Sequence, residues 1–266
     1  MYVHTMKSKH LSFFSLIIFA VCSFELHAET KGINTKVVAP KENKKNESTE
    51  NRSNKKPYSF TKEKFVYNPP MRGAPAVRIG GGTRGIGSQT IELVVIAPDH
   101  TGLTYNEQPR LYWYISKPAL AKLEVTLIND KSDEPVYENY IEKSTTAGIQ
   151  SIDLSKTGIK LKPDLEYRWF VSAVENQGQR SNDVVASGMI KYVVPDSSLK
   201  NELLNADASS HVNIFMQNGI WYDAIDSLVT LSKLHPEAPG LREQKISLLK
   251  QVGLESVANY VQKDNQ

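Results

Sequence analysis

The chain has 266 residues, 40% of them hydrophobic, and a formal net charge of +3, enough apolar content for a real core and too much for wholesale disorder. Residues 29–64 carry ten Lys/Arg against five Asp/Glu and residues 1–28 add +1, which leaves residues 65–266 at about −3. The positive excess sits on a segment with almost no large apolar side chains, so a nucleic-acid-binding face is not supported.

Lys7, Lys9 and His10 precede the apolar run Leu11–Phe24, and Leu26-His27-Ala28 offers a cleavage site before Glu29. Residues 1–28 therefore read as a signal peptide and the mature protein as periplasmic or secreted. The run is shorter than the roughly 20 residues that span a bilayer, and serines interrupt it, so no stable membrane insertion is expected after cleavage. The only cysteine, Cys22, lies inside this segment without the small residue that lipid modification needs before it. Cleavage after Ala28 removes disulfides, thiolate metal sites and cysteine nucleophiles together.

Residues 29–64 include KENKKNESTENRSNKKP and read as a disordered basic leader, because such a composition does not offset the entropy of ordering. Phe65 and Tyr67 then open a folded part that leads through Asn68-Pro69-Pro70 into GAPAVRIGGGTRGIG. Gly80, Gly82 and Gly85 spell G-x-G-x-x-G, but a dinucleotide site needs a helix after the loop, and Ile91–Ala97 reads as a strand. The loop instead offers backbone N–H groups around which Arg78, Thr83 and Arg84 would converge on an anion. The competing expectation is an edge loop whose arginines pair with local carboxylates or carbonyls.

Seven strands are expected: Ile91–Ala97, Arg110–Ser116, Leu123–Asn129, Val136–Lys143, Gly148–Leu154, Tyr167–Val174 and Val184–Val194, separated by turn signals such as Pro98-Asp99 and Asn176-Gln177-Gly178. In the second, Leu111, Trp113 and Ile115 alternate with Tyr112 and Tyr114. Leu161, Pro163 and Tyr167 have the L-x-P-x-x-x-Y spacing of a tyrosine corner, and Tyr167, Trp169, Val171 and Ala173 give one face to a core. After Pro195 the period changes to near 3.6, with helices expected over Leu199–Leu204, Asp207–Gln217, Ile220–Leu234, Pro239–Val252 and Glu255–Gln262. Gly219 and Gly253 sit where helices stop. Gly219, Ala224, Leu228, Leu231 and Pro236 keep the spacing of one tetratricopeptide unit.

The expected architecture is thus mainly β with α: a seven-stranded β-sandwich with an N-terminal glycine-rich loop over residues 65–195, then a C-terminal helical region over 196–266. Tryptophan on an early strand, the later tyrosine corner and seven strands over Ile91–Val194 resemble an immunoglobulin/fibronectin type III-like sandwich. Three phrases, GAPAVRIGGGTRG, GIWYDA and LLKQVGL, resemble the exported bacterial family catalogued as domain of unknown function 928. That resemblance implies export and a two-part architecture and carries over no catalytic residue. Members of that family often have cysteines soon after the glycine loop and on the strand before the last; Gly87, Ser88, Val174 and Glu175 stand near those places here.

The histidines kept after cleavage, His100, His211 and His235, lack ligand spacing, and no cofactor is suggested. There is no G-x-S-x-G elbow. The functional expectation is a non-enzymatic binding or assembly module of the cell envelope with a protein partner; a hydrolase acting on an envelope polymer is the alternative, because two catalytic acids need not be near each other in the chain. Trp221, Tyr222 and Asp223 are the expected interaction or interdomain surface: the hairpin docks on outward aromatics such as Tyr112, Tyr114 or Phe170, with Trp221 in the joint and the other two nearer its rim.

Overall fold

Backbone pairing follows the side-chain alternation. In the computed structural model, which describes residues 65–70, 78–79, 84–86, 89–118, 122–132, 134–141 and 146–264, the strands are β1 (Arg84–Ile86), β2 (Gln89–Ile91), β3 (Leu93–Val95), β4 (Gly102–Thr104), β5 (Arg110–Ile115), β6 (Lys122–Asn129), β7 (Pro135–Ile141), β8 (Gly148–Asp153), β9 (Glu166–Val174) and β10 (Val184–Tyr192). The helices are α1 (Ser197–Asn205), α2 (Ala208–Gln217), α3 (Trp221–Leu234), α4 (Pro239–Gln251) and α5 (Glu255–Lys263). The signal peptide, the basic leader and Thr83 lie outside the described residues.

One sheet has the order β4-β10-β9-β6-β7 and a second the order β3-β5-β8, while β1 and β2 form a separate hairpin. All pairs are antiparallel except β4, which runs parallel to the end of β10. The expected count of seven strands is corrected. The first expected strand divides at Glu92 into the end of β2 and β3, and β1 and β4 are additional. Both additions are three-residue segments containing glycine, too short for a periodic signal, and each exists because a neighbouring strand supplies its pairing.

Tyr167, Trp169, Val171 and Ala173 are buried, as are Leu111, Trp113 and Ile115. The Tyr167 hydroxyl accepts a hydrogen bond from the Lys162 N–H at 3.0 Å, which is the bond that makes a tyrosine corner. The other face of β5 is buried too: Tyr112 and Tyr114 lie under helices, and the described residues fall in one compact unit with a continuous core through sheets and helices.

Asp196 and Asp207 cap α1 and α2, each accepting an N–H one turn on at 2.8 Å, which satisfies a donor the helix itself leaves open. Gly219 ends α2 at φ +71°, and a Cβ there would lie 2.7 Å from the Asn68 carbonyl oxygen. Residues 65–70 therefore cross the α2–α3 turn at contact distance. Two further bonds tie them to α4: Tyr67 N–H to Gln251 Oε1 at 3.0 Å and Gln251 Nε2 to the Phe65 carbonyl at 2.8 Å.

Candidate functional site

In the first turn of α3 the consecutive side chains of Trp221 and Tyr222 are both buried. Trp221 Nε1 donates to the Ile96 carbonyl at 3.1 Å, and Tyr67 packs edge-on against the indole at 5.2 Å. Tyr222 is 2% exposed; its hydroxyl donates to the Met189 carbonyl at 2.9 Å and accepts from Trp169 Nε1 at 2.9 Å. Asp223 Oδ2 accepts from the Tyr105 N–H at 3.0 Å, and enclosure of the carboxylate pushes its pKa up to about 6. The rim position expected for Tyr222 is corrected to the interior, because β9 and β10 supply partners for its hydroxyl on a side of the helix that periodicity alone leaves outside the apolar face.

Farther along α3, Asp226 accepts from the Tyr112 hydroxyl at 2.6 Å and from Arg110 Nη1 at 3.1 Å, while Arg110 Nη2 donates to Asp153 at 2.6 Å. Tyr114 meets Tyr260 of α5 with ring centroids 5.0 Å apart. Tyr112 and Tyr114 are thus the aromatics that receive the helices. Phe170 lies on β9 in register with Thr126 and Ser187.

Where the three-stranded sheet, α3, α4 and α5 meet, they leave a cavity of about 320 Å³. Tyr112, Ile149 and Ser151 form its sheet wall, Val229, Ser232 and Lys233 come from α3, Leu241, Arg242 and Lys245 from α4, and Tyr260, Val261 and Asp264 from the end of α5. Lys245 holds an unusual position. It follows Leu241 by four residues and precedes Leu248 and Leu249 by three and four, so it lies on the stripe whose neighbours are buried. Burial lowers its pKa, with Arg242 and Lys233 pushing the same way and Asp264 opposing. Arg242 is differently employed: Nε donates to the Val261 carbonyl at 3.0 Å and Nη2 to the Gln262 carbonyl, closing the last turn of α5.

Residues 79–261 match the family model described as Domain of Unknown Function (DUF928). The chain belongs to that family. No curated protein matches the DUF928 chain. An engineered protein, solved as a Northeast Structural Genomics Consortium target, aligns with 46% of this chain at 8% identity and a TM-score of 0.27; the alignment covers 21% of that protein. A likeness this weak carries no argument about fold or function.

In this DUF928 chain the Arg78 guanidinium is committed to carbonyls. Nη1 donates to Ala97 and Val252 and Nη2 to Gly253, each at 2.9 Å, which ties the end of α4 to the segment after β3. Arg84 lies on β1. In a second cleft beside Arg78, Tyr67 Oη and His100 Nε2 are 2.8 Å apart, and His100 Nδ1 lies 3.2 Å from Asp99. His100 also stacks on Tyr67 at 5.7 Å. Burial raises the Tyr67 pKa, which opposes a nucleophilic phenolate. Among the described residues no group of three or more His, Cys, Asp or Glu side chains could hold a metal ion, and no helix is long and apolar enough to cross a membrane.

Sequence reasoning missed the cavity. The available signal was Lys245 itself, a lysine written into the apolar stripe of a helix, where charge is costly unless something compensates it.

Proposed function

We propose that this protein is an exported, non-enzymatic binding or assembly module of the bacterial cell envelope, a fibronectin type III-like sandwich carrying a tetratricopeptide-like helical region. The partition of strands into β3-β5-β8 and β4-β10-β9-β6-β7 and the packing of α2 on α3 and α4 on α5 support that description. The observation that carries the binding reading is the joint cavity: three helices and a sheet hold Lys245 at a concave surface, where burial lowers its pKa. Trp221, Tyr222 and Asp223 then act as an interdomain surface that fixes the cavity walls. An anion site on Arg78, Thr83 and Arg84 is a separate proposal, tested by a phosphate titration in which Gly80–Gly85 should shift first.

The test is cross-linking in cells from a photoreactive residue placed at Lys233 or Pro236, on the cavity wall. A stoichiometric adduct with one envelope component supports the module. No adduct, together with breakdown of an envelope polymer by the purified protein, favours the hydrolase. The linked Tyr67, His100 and Asp99 are the observation that keeps this second reading; Tyr67→Phe should abolish the breakdown if they perform it.

A further inference from the structure

We propose that the joint cavity binds a small organic oxyanion, a carboxylate or phosphate monoester on a ring-sized body, with the charged group on the Lys245 ammonium and the body against Tyr260 and Leu241. The inference rests on the binding-module reading and names the ligand chemistry of the same site. Three observations carry it. The volume, about 320 Å³, lies at the small end of ligand pockets, roughly 300 to 1,000 Å³, and suits a ring with one substituent better than a peptide segment. The wall charges are two lysines and an arginine against Asp264 alone, so the cavity favours a negative guest.

The third is the state of Lys245. Arg242 and Asp264 have protein partners, whereas the Lys245 ammonium donates no hydrogen bond to another described residue. Its burial lowers its pKa; Asp264 opposes that shift, while Arg242 and Lys233 add to it, so the site holds a partly desolvated cation with positive neighbours on the same wall. An oxyanion there would accept from the ammonium and relieve its repulsion with Lys233 and Arg242. Tyr260, held by its bond to Asp264 at 3.2 Å and by contact with Tyr114, presents a fixed ring to the body of the guest.

The experiment is a titration of the full mature chain, followed by amide NMR, with benzoate, phenyl phosphate, inorganic phosphate and phenol. Benzoate or phenyl phosphate should shift Ser151, Ser232, Lys245 and Val261 together, and whichever binds more tightly identifies the oxyanion. Inorganic phosphate and phenol should each bind at least tenfold more weakly. Lys245→Met should lower affinity at least tenfold, and so should Lys245→Gln, which keeps a polar end if the apolar variant folds poorly. Shifts centred elsewhere, unchanged affinity in a folded Lys245 variant, or inorganic phosphate binding as tightly as phenyl phosphate would overturn the proposal. A cross-linked partner alongside a failed titration would remove only the ligand chemistry; a good titration without an adduct would remove the envelope-partner reading and keep the site.

Discussion

Trp169 and Tyr222 are hydrogen-bonded inside the protein, indole Nε1 to phenolic oxygen at 2.9 Å, although one belongs to the middle of β9 and the other to the first turn of α3. The same hydroxyl donates to the Met189 carbonyl. On that side of β10 the bridge from Ser187 to Ile79 has ended and pairing with β4 begins only at Ile190, so the hydroxyl satisfies a strand carbonyl at the gap. The first turn of α3 thereby shares the core of the sheets.

Tyr222→Phe keeps the ring and removes the oxygen, leaving the Trp169 N–H and the Met189 carbonyl without this partner. The expected cost is about 1 to 3 kcal/mol, read as a lower urea midpoint with unchanged slope. A midpoint equal to wild type would show that water reaches the gap, and the hydroxyl would lose its structural role.

Trp221→Ala removes a fully buried indole, its bond to Ile96 and its contact with Tyr67. About 3 to 5 kcal/mol should be lost, a large share of the roughly 5 to 15 that a domain has. Urea unfolding checks it, and a change below 1 kcal/mol would mean that the first turn of α3 is not locked into the sandwich.

Gly102 shows how closely α3 approaches β4. A Cβ there would stand 2.7 Å from Tyr222 Cε2, a ring already fixed at its hydroxyl. Gly102→Ala should therefore cost roughly 1 to 3 kcal/mol by overpacking. In the double variant with Tyr222→Ala most of that penalty should disappear, since the obstructing ring is gone. Additive losses would place the strain elsewhere.

Much of this fold was legible because period-2 and period-3.6 patterns survive wherever one face is buried. The tyrosine corner could be read from Leu161, Pro163 and Tyr167, and the helix stops from Gly219 and Gly253. Contacts that join distant elements were not legible. Docking on Tyr112 and Tyr114 is expected from the sequence, but not their partners Asp226 and Tyr260, and Arg78 reads as an anion ligand or as pairing with local acceptors, yet two of its three acceptors are carbonyls more than 170 residues away. The cavity is less visible still, because its walls come from five elements, β5, β8, α3, α4 and α5, whose meeting no local periodicity shows. Lys245 alone among the cavity's α4 residues puts a charge on the stripe of Leu241, Leu248 and Leu249.

Asp223 makes stability depend on pH in the direction opposite to most surface carboxylates. Enclosure of its carboxylate outweighs the hydrogen bonds from Thr104 and Tyr105, and the pKa rises to about 6 from an ordinary value of 3.8. A carboxyl that holds its proton more tightly when folded adds stability below its unfolded pKa and loses it as pH rises through the folded one. Asp223 thus stabilises near pH 4 and stops doing so by pH 7, a change of roughly 1 to 3 kcal/mol. Glu124 and Asp153 act in reverse, because hydrogen bonds from Arg180 and Ser155, respectively, lower their pKa values and their contributions are lost in acid. The wild-type curve alone therefore mixes both signs. Asp223→Asn removes the one titration and keeps an oxygen for the Tyr105 N–H, so the difference between wild type and variant isolates it. Unfolding free energies measured from pH 4 to 8 should show the variant gaining on wild type between pH 4 and 7 and running parallel above. Curves parallel throughout would mean that Asp223 titrates like an exposed carboxylate and that the joint admits water at α3.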